Sequence, residues 1–237
     1  MSQIRIERLT GDRLKPLLPD LARLRITVFR AYPYLYDGSP DYEERYLQTY
    51  VAATDGVIVG AFDGEAVIGA STGLPLSHEP PSLTDTVVAH GLDVGRAFYF
   101  GESVLLPDYR GHGIGVAFFR EREAHARSLG RFDHAAFCGM VRPPNHPRRP
   151  PDYVPLDAFW RRRGFAPVSG MLGSIAWRDL DEVEQTAKPM QFWVKTSHEL
   201  VRAVTGRLSQ YLLRHGLINI DRACLSTRRP VRGMFSI

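Results

Sequence analysis

The chain has 237 residues, 44% of them hydrophobic and 24% charged, which is enough apolar material for a full core and too little charge for a disordered polymer. No run approaches the ~18 apolar residues that cross a bilayer, and residues 1–20 lack an apolar signal core, so a membrane partner is excluded and a cytoplasmic location is expected. Cys138 and Cys224 lie far apart without partners at metal-ligand spacing, which excludes a disulfide framework and a zinc site and predicts two free thiols.

In chain order, Gln3–Leu9 alternates apolar and polar residues and predicts a half-buried strand; Asp12 then stands as an N-cap before Leu14, Leu17, Leu18, Leu21, Leu24 and Val28 at helical spacing. An aromatic stretch from Tyr32 leads to a second helix over Asp41–Ala53, with Tyr42, Tyr46 and Tyr50 four apart on one face. Val57–Phe62 and Ala66–Leu74 form a hairpin through the Asp63–Gly64 turn, and Ala97–Leu106 is the next strand. Val116, Phe118, Phe119, Ala124, His125 and Leu129 mark a helix that begins near Gly113 and is ended by Gly130. Phe132–Val141 is strand-like, and the prolines of residues 142–152 forbid regular structure. A short helix, Leu156–Arg163, stops at Gly164, and Ser169–Trp177 and Met190–Val194 are two last strands around the acidic connection Asp179–Gln185.

The tail differs in charge. The net charge of +4 hides seven arginines against one aspartate in residues 201–237, so the remainder is slightly acidic. Leu200, Val204, Leu208, Leu212 and Leu213 predict a helix over His198–His215 with poor order beyond it. A solvated extension is the ordinary reading of such an arginine-rich end; nucleic-acid binding would show as salt-sensitive affinity lost with the tail. Packing on the domain, pairing of two subunits as a homodimer and a free tail all remain open from sequence.

Val104 to Gly115 carries the chemistry. A strand runs through Pro107 into Gly111, Gly113 and Gly115 at alternate positions, and a helix follows at once. Glycines there let successive backbone N–H groups point one way, and the helix N-terminus adds partial positive charge, so the turn is an anion cradle of phosphate or pyrophosphate size. The spacing G-x-G-x-G has Phe118 where a dinucleotide fingerprint wants its third glycine, and no Gly-Lys-Ser or Gly-Lys-Thr makes a Walker loop. The segment closely resembles the acetyl-CoA motif of the GNAT superfamily of N-acetyltransferases, R/Q-x-x-G-x-G/A after a strand ending hydrophobic-x-Pro, with Arg110, Gly113 and Gly115 at its fixed positions. The order of predicted elements over residues 3–197 is also the GNAT order. The resemblance implies an α+β fold, a mixed and mostly antiparallel sheet splayed at its fourth and fifth strands and flanked by helices. It assigns residues 1–197 to the acetyltransferase domain and leaves 198–237 as a basic, partly helical extension.

The same resemblance implies that main-chain groups of Ser103, Val104 and Leu105 hold the pantetheine arm and thioester oxygen, while Arg110, Gly111, His112, Gly113, Ile114 and Gly115 hold the pyrophosphate. The family's second signature, N-x-x-A-x-x-F-Y-x-x-x-G-F, is matched by Tyr153 through Phe165, except that Trp160 replaces the tyrosine that protonates the leaving thiolate. Indole gives up no proton at accessible pH, so another group, with Tyr153 a weak substitute, or water protonates the thiolate, or it leaves unprotonated, and Trp160 is expected to pack against the coenzyme arm or in the core.

Glu102 interrupts an otherwise apolar, aromatic strand, and partial desolvation would make its carboxylate a base for the acceptor amine; a structural carboxylate capped by backbone N–H groups is the rival reading. His112, His125 and His134 are weaker candidates for that role. By resemblance, the acceptor site is bounded by Tyr32, Tyr34, Tyr36 and Asp37 on one side and by Asp179, Asp181, Glu182 and Glu184 on the other, aromatic and acidic groups that suit a cationic amine. The expected activity is acetyl transfer from acetyl-CoA, as co-substrate and with no metal, to a small-molecule amine by direct attack in a ternary complex. The alternative keeps the fold without turnover, as an inactive acyl-CoA sensor or interaction module.

Overall fold

Strands without a polar face belong to a sheet covered on both sides, and residues 57–75 supply two of them. In a computed structural model, which describes residues 4–196, they lie at the heart of an eight-stranded sheet. The elements are β1 (Arg5–Leu9), α1 (Leu18–Phe29), α2 (Pro40–Ala52), β2 (Val57–Asp63), β3 (Ala66–Pro75), α3 (Pro81–Ala89), β4 (Ala97–Tyr99), β5 (Ser103–Leu105), α4 (Ile114–Leu129), β6 (His134–Met140), α5 (Asp157–Arg161), β7 (Ala166–Trp177) and β8 (Thr186–Thr196). The strand order is β1-β2-β3-β4-β6-β8-β7, with β5 also paired to β3; β4–β6 is the parallel pair and the others are antiparallel. This is the expected mixed, mostly antiparallel sheet. No helix among the described residues is long and apolar enough to cross a membrane.

Alternation along the strands builds a core on each face. Ile58, Phe62, Ala70 and Leu74 pack with the buried stripes of α1 and α2, whereas Val57, Val59, Ala61 and Ile68 pack with Phe118, Phe119 and Ala126 of α4.

Several boundaries differ from the sequence reading. The first helix opens as a tighter 3-10 segment over Gly11–Leu17 that contains Pro16, and α-helix begins at Leu18. α3 lies in residues 75–96, a stretch without an expected element. Its nine residues include two threonines and two valines, weak helix formers, and only Leu83 and Val87 are buried, so packing against β7 rather than local preference makes it a helix. The last two strands are longer than their periodicity suggested, and β7 jumps register between Pro167 and Leu172, where the Gln191 amide donates to the carbonyls of Val168 and Met171. The helix expected over His198–His215, the basic tail and Cys224 lie outside the described residues.

The strand expected over Ala97–Leu106 is broken in two, and this break shapes the site. Gly101 N–H donates to Thr72 O (3.1 Å) while Thr72 N–H donates to Glu102 O (3.0 Å), so two residues face one in a β-bulge. Upstream, β4 follows β6 as far as Phe100 N–H to Ala136 O; beyond that bond β5 stays with β3, β6 stays with β8, and no pairing among the described residues joins β5 to β6. The fourth and fifth strands of the sequence reading, here β4–β5 and β6, therefore part as expected.

Arg122 of α4 holds the break. It is 1% exposed. Its Nη1 donates to the carbonyls of Thr72 and Glu102 (3.2 Å each), Nη2 to Ser103 Oγ (2.9 Å) and Nε to Phe118 O (3.3 Å), and the rings of Phe100 and Phe119 flank the guanidinium at 4.3 and 5.0 Å. Burial pushes this group down to about 9, with the nearby Glu102 charge acting the other way, so it is still a cation at neutral pH. Arg122→Ala is expected to destabilise the fold by about 3 kcal/mol, since buried acceptors lose their donor. Urea unfolding measures this, and a change under about 1 kcal/mol would mean that the bulge needs no such pin.

Candidate active site

The glycine turn sits where β5 delivers the chain to α4. Arg110 N–H is taken by Pro107 O, and Val116 and Ala117 N–H are taken by Gly113 O. Between them the N–H groups of residues 111–115 donate to no backbone carbonyl among the described residues. Gly111 and Gly113 have φ of +83° and +81°, and a Cβ on either would meet nothing within 4 Å, so backbone angle rather than crowding demands glycine there. Gly115 is different: its Cβ would lie 3.3 Å from the Phe159 ring, and its absence lets α5 approach α4. Arg110 and His112 are exposed, Arg110 with Nη2 3.5 Å from Leu105 O, whereas the Ile114 side chain is buried and offers only its main chain.

Main-chain direction in β5 follows from its pairing. Leu106 N–H bonds Ile68 O and the bulge bonds Glu102 O, so the even-numbered residues, Val104 among them, turn their main-chain groups to β3. Ser103 and Leu105 then present theirs to the gap before β6. The gap is edged with main-chain groups that no strand takes among the described residues, Leu105 O being met by Arg110, and it runs to the glycine turn.

Across the bulge lies a cluster of ionisable side chains. Glu102 is nearly buried (side chain 7% exposed) and its contacts are side chains, not the backbone N–H groups of the rival reading. Oε1 pairs with Arg25 of α1, and Oε2 accepts from Tyr46 Oη (3.0 Å), whose hydroxyl also meets that of Tyr50 at 2.9 Å. Arg25 in turn pairs with the fully buried Glu43 of α2 and lies 4.2 Å from the Tyr46 ring centre. Burial opposes the Arg25 charge, but Glu102, Tyr46 and Glu43 together raise its proton affinity well above the ordinary value. Burial first and Glu102 second push Tyr46 and Tyr50 well above 10, so both stay protonated donors. Half-buried Glu79 is pushed up to about 7, by burial and then by Glu102.

The two segments expected to bound the acceptor site do meet, largely by consuming their own polar groups. Tyr36 bridges to Asp179, Asp37 N–H donates to Arg178 O, and Arg142 donates to Pro33 O and Tyr34 O and pairs with Asp179 at 2.6 Å. Asp179 is buried, bonded also by Trp177 Nε1 (2.9 Å) and near Lys188. Lys188 binds Glu182 at 2.6 Å and, with the Asp179 N–H, pulls that carboxyl down to about 2. Asp181 pairs with Arg148, and Glu184 is exposed. The acidic connection is therefore a brace rather than a patch of free carboxylates. Tyr34 is lodged between Phe29 and Trp177, while Tyr32 meets Tyr153 edge-on at 4.7 Å and His146 at 5.8 Å. Trp160 stands half-buried, 5.0 Å from both Phe137 and Trp193 and above Gly139 of β6. His125 bonds Asp55 O and His134 meets Thr196, away from the cluster.

Arg25, Arg122 and Glu79 were not among the expected site residues. The two arginines had a readable signal: each holds a core position of its helix, Arg25 in the stripe Leu18, Leu21, Ala22, Phe29 and Arg122 in the stripe Phe118, Phe119, Ala126. A charge at a core position is informative. Glu79 follows a short irregular turn and had none.

No family model matches the sequence, and no curated protein is similar to it. Solved structures are similar in fold. They include a ribosomal-protein-alanine N-acetyltransferase from Brucella melitensis (TM-score 0.53, 14% identity, 81% of this chain and 99% of that one) and an N-acetyltransferase from Staphylococcus aureus (0.53, 12%, 82% and 99%). A protein of Desulfovibrio desulfuricans described as a GNAT-family acetyltransferase is a third (0.51, 13%, 82% and 99%).

Proposed function

The chain having the fold of the GNAT N-acetyltransferases, we propose that it transfers the acetyl group of acetyl-CoA to an amine of a small molecule by direct attack in a ternary complex. The supporting observation is the groove between β5 and β6, edged by main-chain groups of Ser103 and Leu105 and closed at the start of α4 by N–H groups of residues 111–115 that no backbone carbonyl takes among the described residues. That donor set fits a diphosphate carried on an amide-bearing arm. Gly111 to Gly115 would hold the diphosphate, with Arg110 beside it, and Ser103 and Leu105 the arm; bound there, acetyl-CoA supplies an activated acyl group.

The chain's own residues do the rest. Main-chain N–H of Ser103 and Leu105, turned to the gap by the β5 pairing, faces the carbonyl oxygen as charge develops on it. Glu102, fixed by Arg25 and Tyr46, gives the acceptor end of the groove a carboxylate of set orientation, and an ammonium is the complement of that charge. Trp160 walls the groove beside Gly139.

A second reading has its own support: with Trp160 packed between Phe137 and Trp193 at the position of the family tyrosine, a coenzyme-binding sensor without turnover would look the same. Release of free thiol from acetyl-CoA with a panel of polyamines, amino acids and peptides separates the two, since a sensor binds and releases none. For the transferase, Glu102→Gln is expected to raise the KM of the amine at least 10-fold while acetyl-CoA affinity changes less than 2-fold, and unchanged amine kinetics would remove Glu102 from the site. Gly113→Val puts a β-branched side chain at φ +81° and into the diphosphate's place; calorimetry should show acetyl-CoA affinity down at least 100-fold, and retained affinity would refute the cradle.

A further inference from the structure

Three carboxyl groups lie around the bulge, Glu102 on it, Glu43 joined to it through Arg25 and Glu79 near enough to feel the Glu102 charge, and two of them are already engaged. Glu43 and Glu102 share Arg25. For Glu102 to take a proton it must give up either Arg25 at Oε1 or the Tyr46 hydroxyl at Oε2. Glu79 is the third. It follows the 3-10 turn Leu76–His78 that closes β3, and its N–H is tied to Leu76 O at 3.0 Å, which fixes where the side chain starts. Its carboxyl is half-buried and has no hydrogen bond or ion pair among the described residues.

Register places this turn just before the break, beside the stretch where β4 and β6 are still joined: Leu74 lies opposite Tyr99 and Pro75 opposite Phe98, and two residues back along β3 Thr72 meets Gly101 and Glu102 at the bulge. The groups that interact with the Glu79 carboxyl are Glu102 at the bulge, Tyr46 and Tyr50 on α2, Tyr99 on β4 and Cys138 on β6. Arg25 from α1 and Arg122 from α4 act on the same cluster through Glu102. The hydroxyls of Tyr46, Tyr50 and Tyr99 and the Cys138 thiol, pushed up to about 12 by burial, keep their protons. Glu79 is thus the uncommitted acid of the cluster.

We propose that Glu79 is the catalytic base, taking a proton from the acceptor ammonium, and that Glu102 is a positioning residue that draws the ammonium in through its charge. The assignment rests on the acetyl-transfer reading above. The ammonium proton passes to the Glu79 carboxylate, and the free amine forms a nitrogen–carbon bond at the thioester carbon. The carbon–sulfur bond breaks with its electron pair on sulfur. Nitrogen's second proton ends on that sulfur, directly or through water, and the Glu79 proton is released to solvent, so no other reactant is needed. A base near working pH transfers protons most effectively.

The test compares Glu79→Gln, Glu79→Asp and Glu102→Gln in the full chain, with acetyl-CoA and the best amine of the panel, from pH 5.5 to 9. The unmutated chain should lose kcat/KM below pH about 7 along a single-proton limb. Glu79→Gln should lower kcat/KM about 100- to 1,000-fold and abolish the limb, with acetyl-CoA affinity unchanged by calorimetry; Glu79→Asp should keep a limb at reduced rate. Glu102→Gln should keep the limb and move it to lower pH, because a neighbouring negative charge has gone. An intact acidic limb in Glu79→Gln overturns the assignment while leaving the acetyl-transfer reading standing. No thiol release by the unmutated chain with any amine overturns both. As a readout apart from activity, carbon NMR of labelled glutamate carboxyls should show a resonance titrating near 7 that is lost in Glu79→Gln, and its absence from the unmutated spectrum also contradicts the assignment.

Discussion

A sheet that opens in its middle leaves main-chain groups that neither strand can satisfy, and something must hold it open before any ligand arrives. Arg122 does this from α4. Its guanidinium gathers the carbonyls of Thr72 and Glu102 and the Ser103 hydroxyl, and so fixes the two-against-one pairing that turns β5 away from β6. Burying a cation costs several kcal/mol; hydrogen bonds to a charged donor contribute about 1.5–3 kcal/mol each, and two aromatic faces add to them. The groove, the direction of Ser103 and Leu105, and the position of Glu102 all follow from that bulge.

From the bulge outward, charge is organised by Arg25, which ties α1 and α2 to the strand through Glu43 and Glu102. Glu102 thereby has a fixed orientation. Among the described residues Glu79 is held only by its backbone. Structural and chemical tasks are divided between neighbouring acids. Of the expected face of Tyr42, Tyr46 and Tyr50, the last two meet edge-on at 5.7 Å, while Tyr42 is exposed.

Much of this was legible from residues alone because it is local. Gly113 and Gly130 bound α4 with left-handed conformations at both ends, as their positions suggested, and Asp63–Gly64 makes the hairpin. Non-local determinants were not legible. α3 exists because β7 covers it, and Asp179 is a buried brace because Arg142, thirty-seven residues away, reaches it. Glu102 stood out as a charge in an apolar strand, but its partner Arg25 could be found only by reading charge at a core helical position as a signal. Tyr32, Tyr34 and Tyr36 come from one turn yet go to three surroundings, which residue type cannot resolve.

The proposed acetyl transfer depends most on the main chain of residues 111–115 acting as the grip for a diphosphate. Amide resonances of the labelled protein, followed by NMR as coenzyme A is added, test this directly. Gly111 to Gly115, together with Ser103 and Leu105, should shift and become protected from hydrogen exchange, while β1 and β2 amides stay as they were. Saturating coenzyme A that leaves the amides of 111–115 unmoved, in a protein whose spectrum shows it folded, would contradict it.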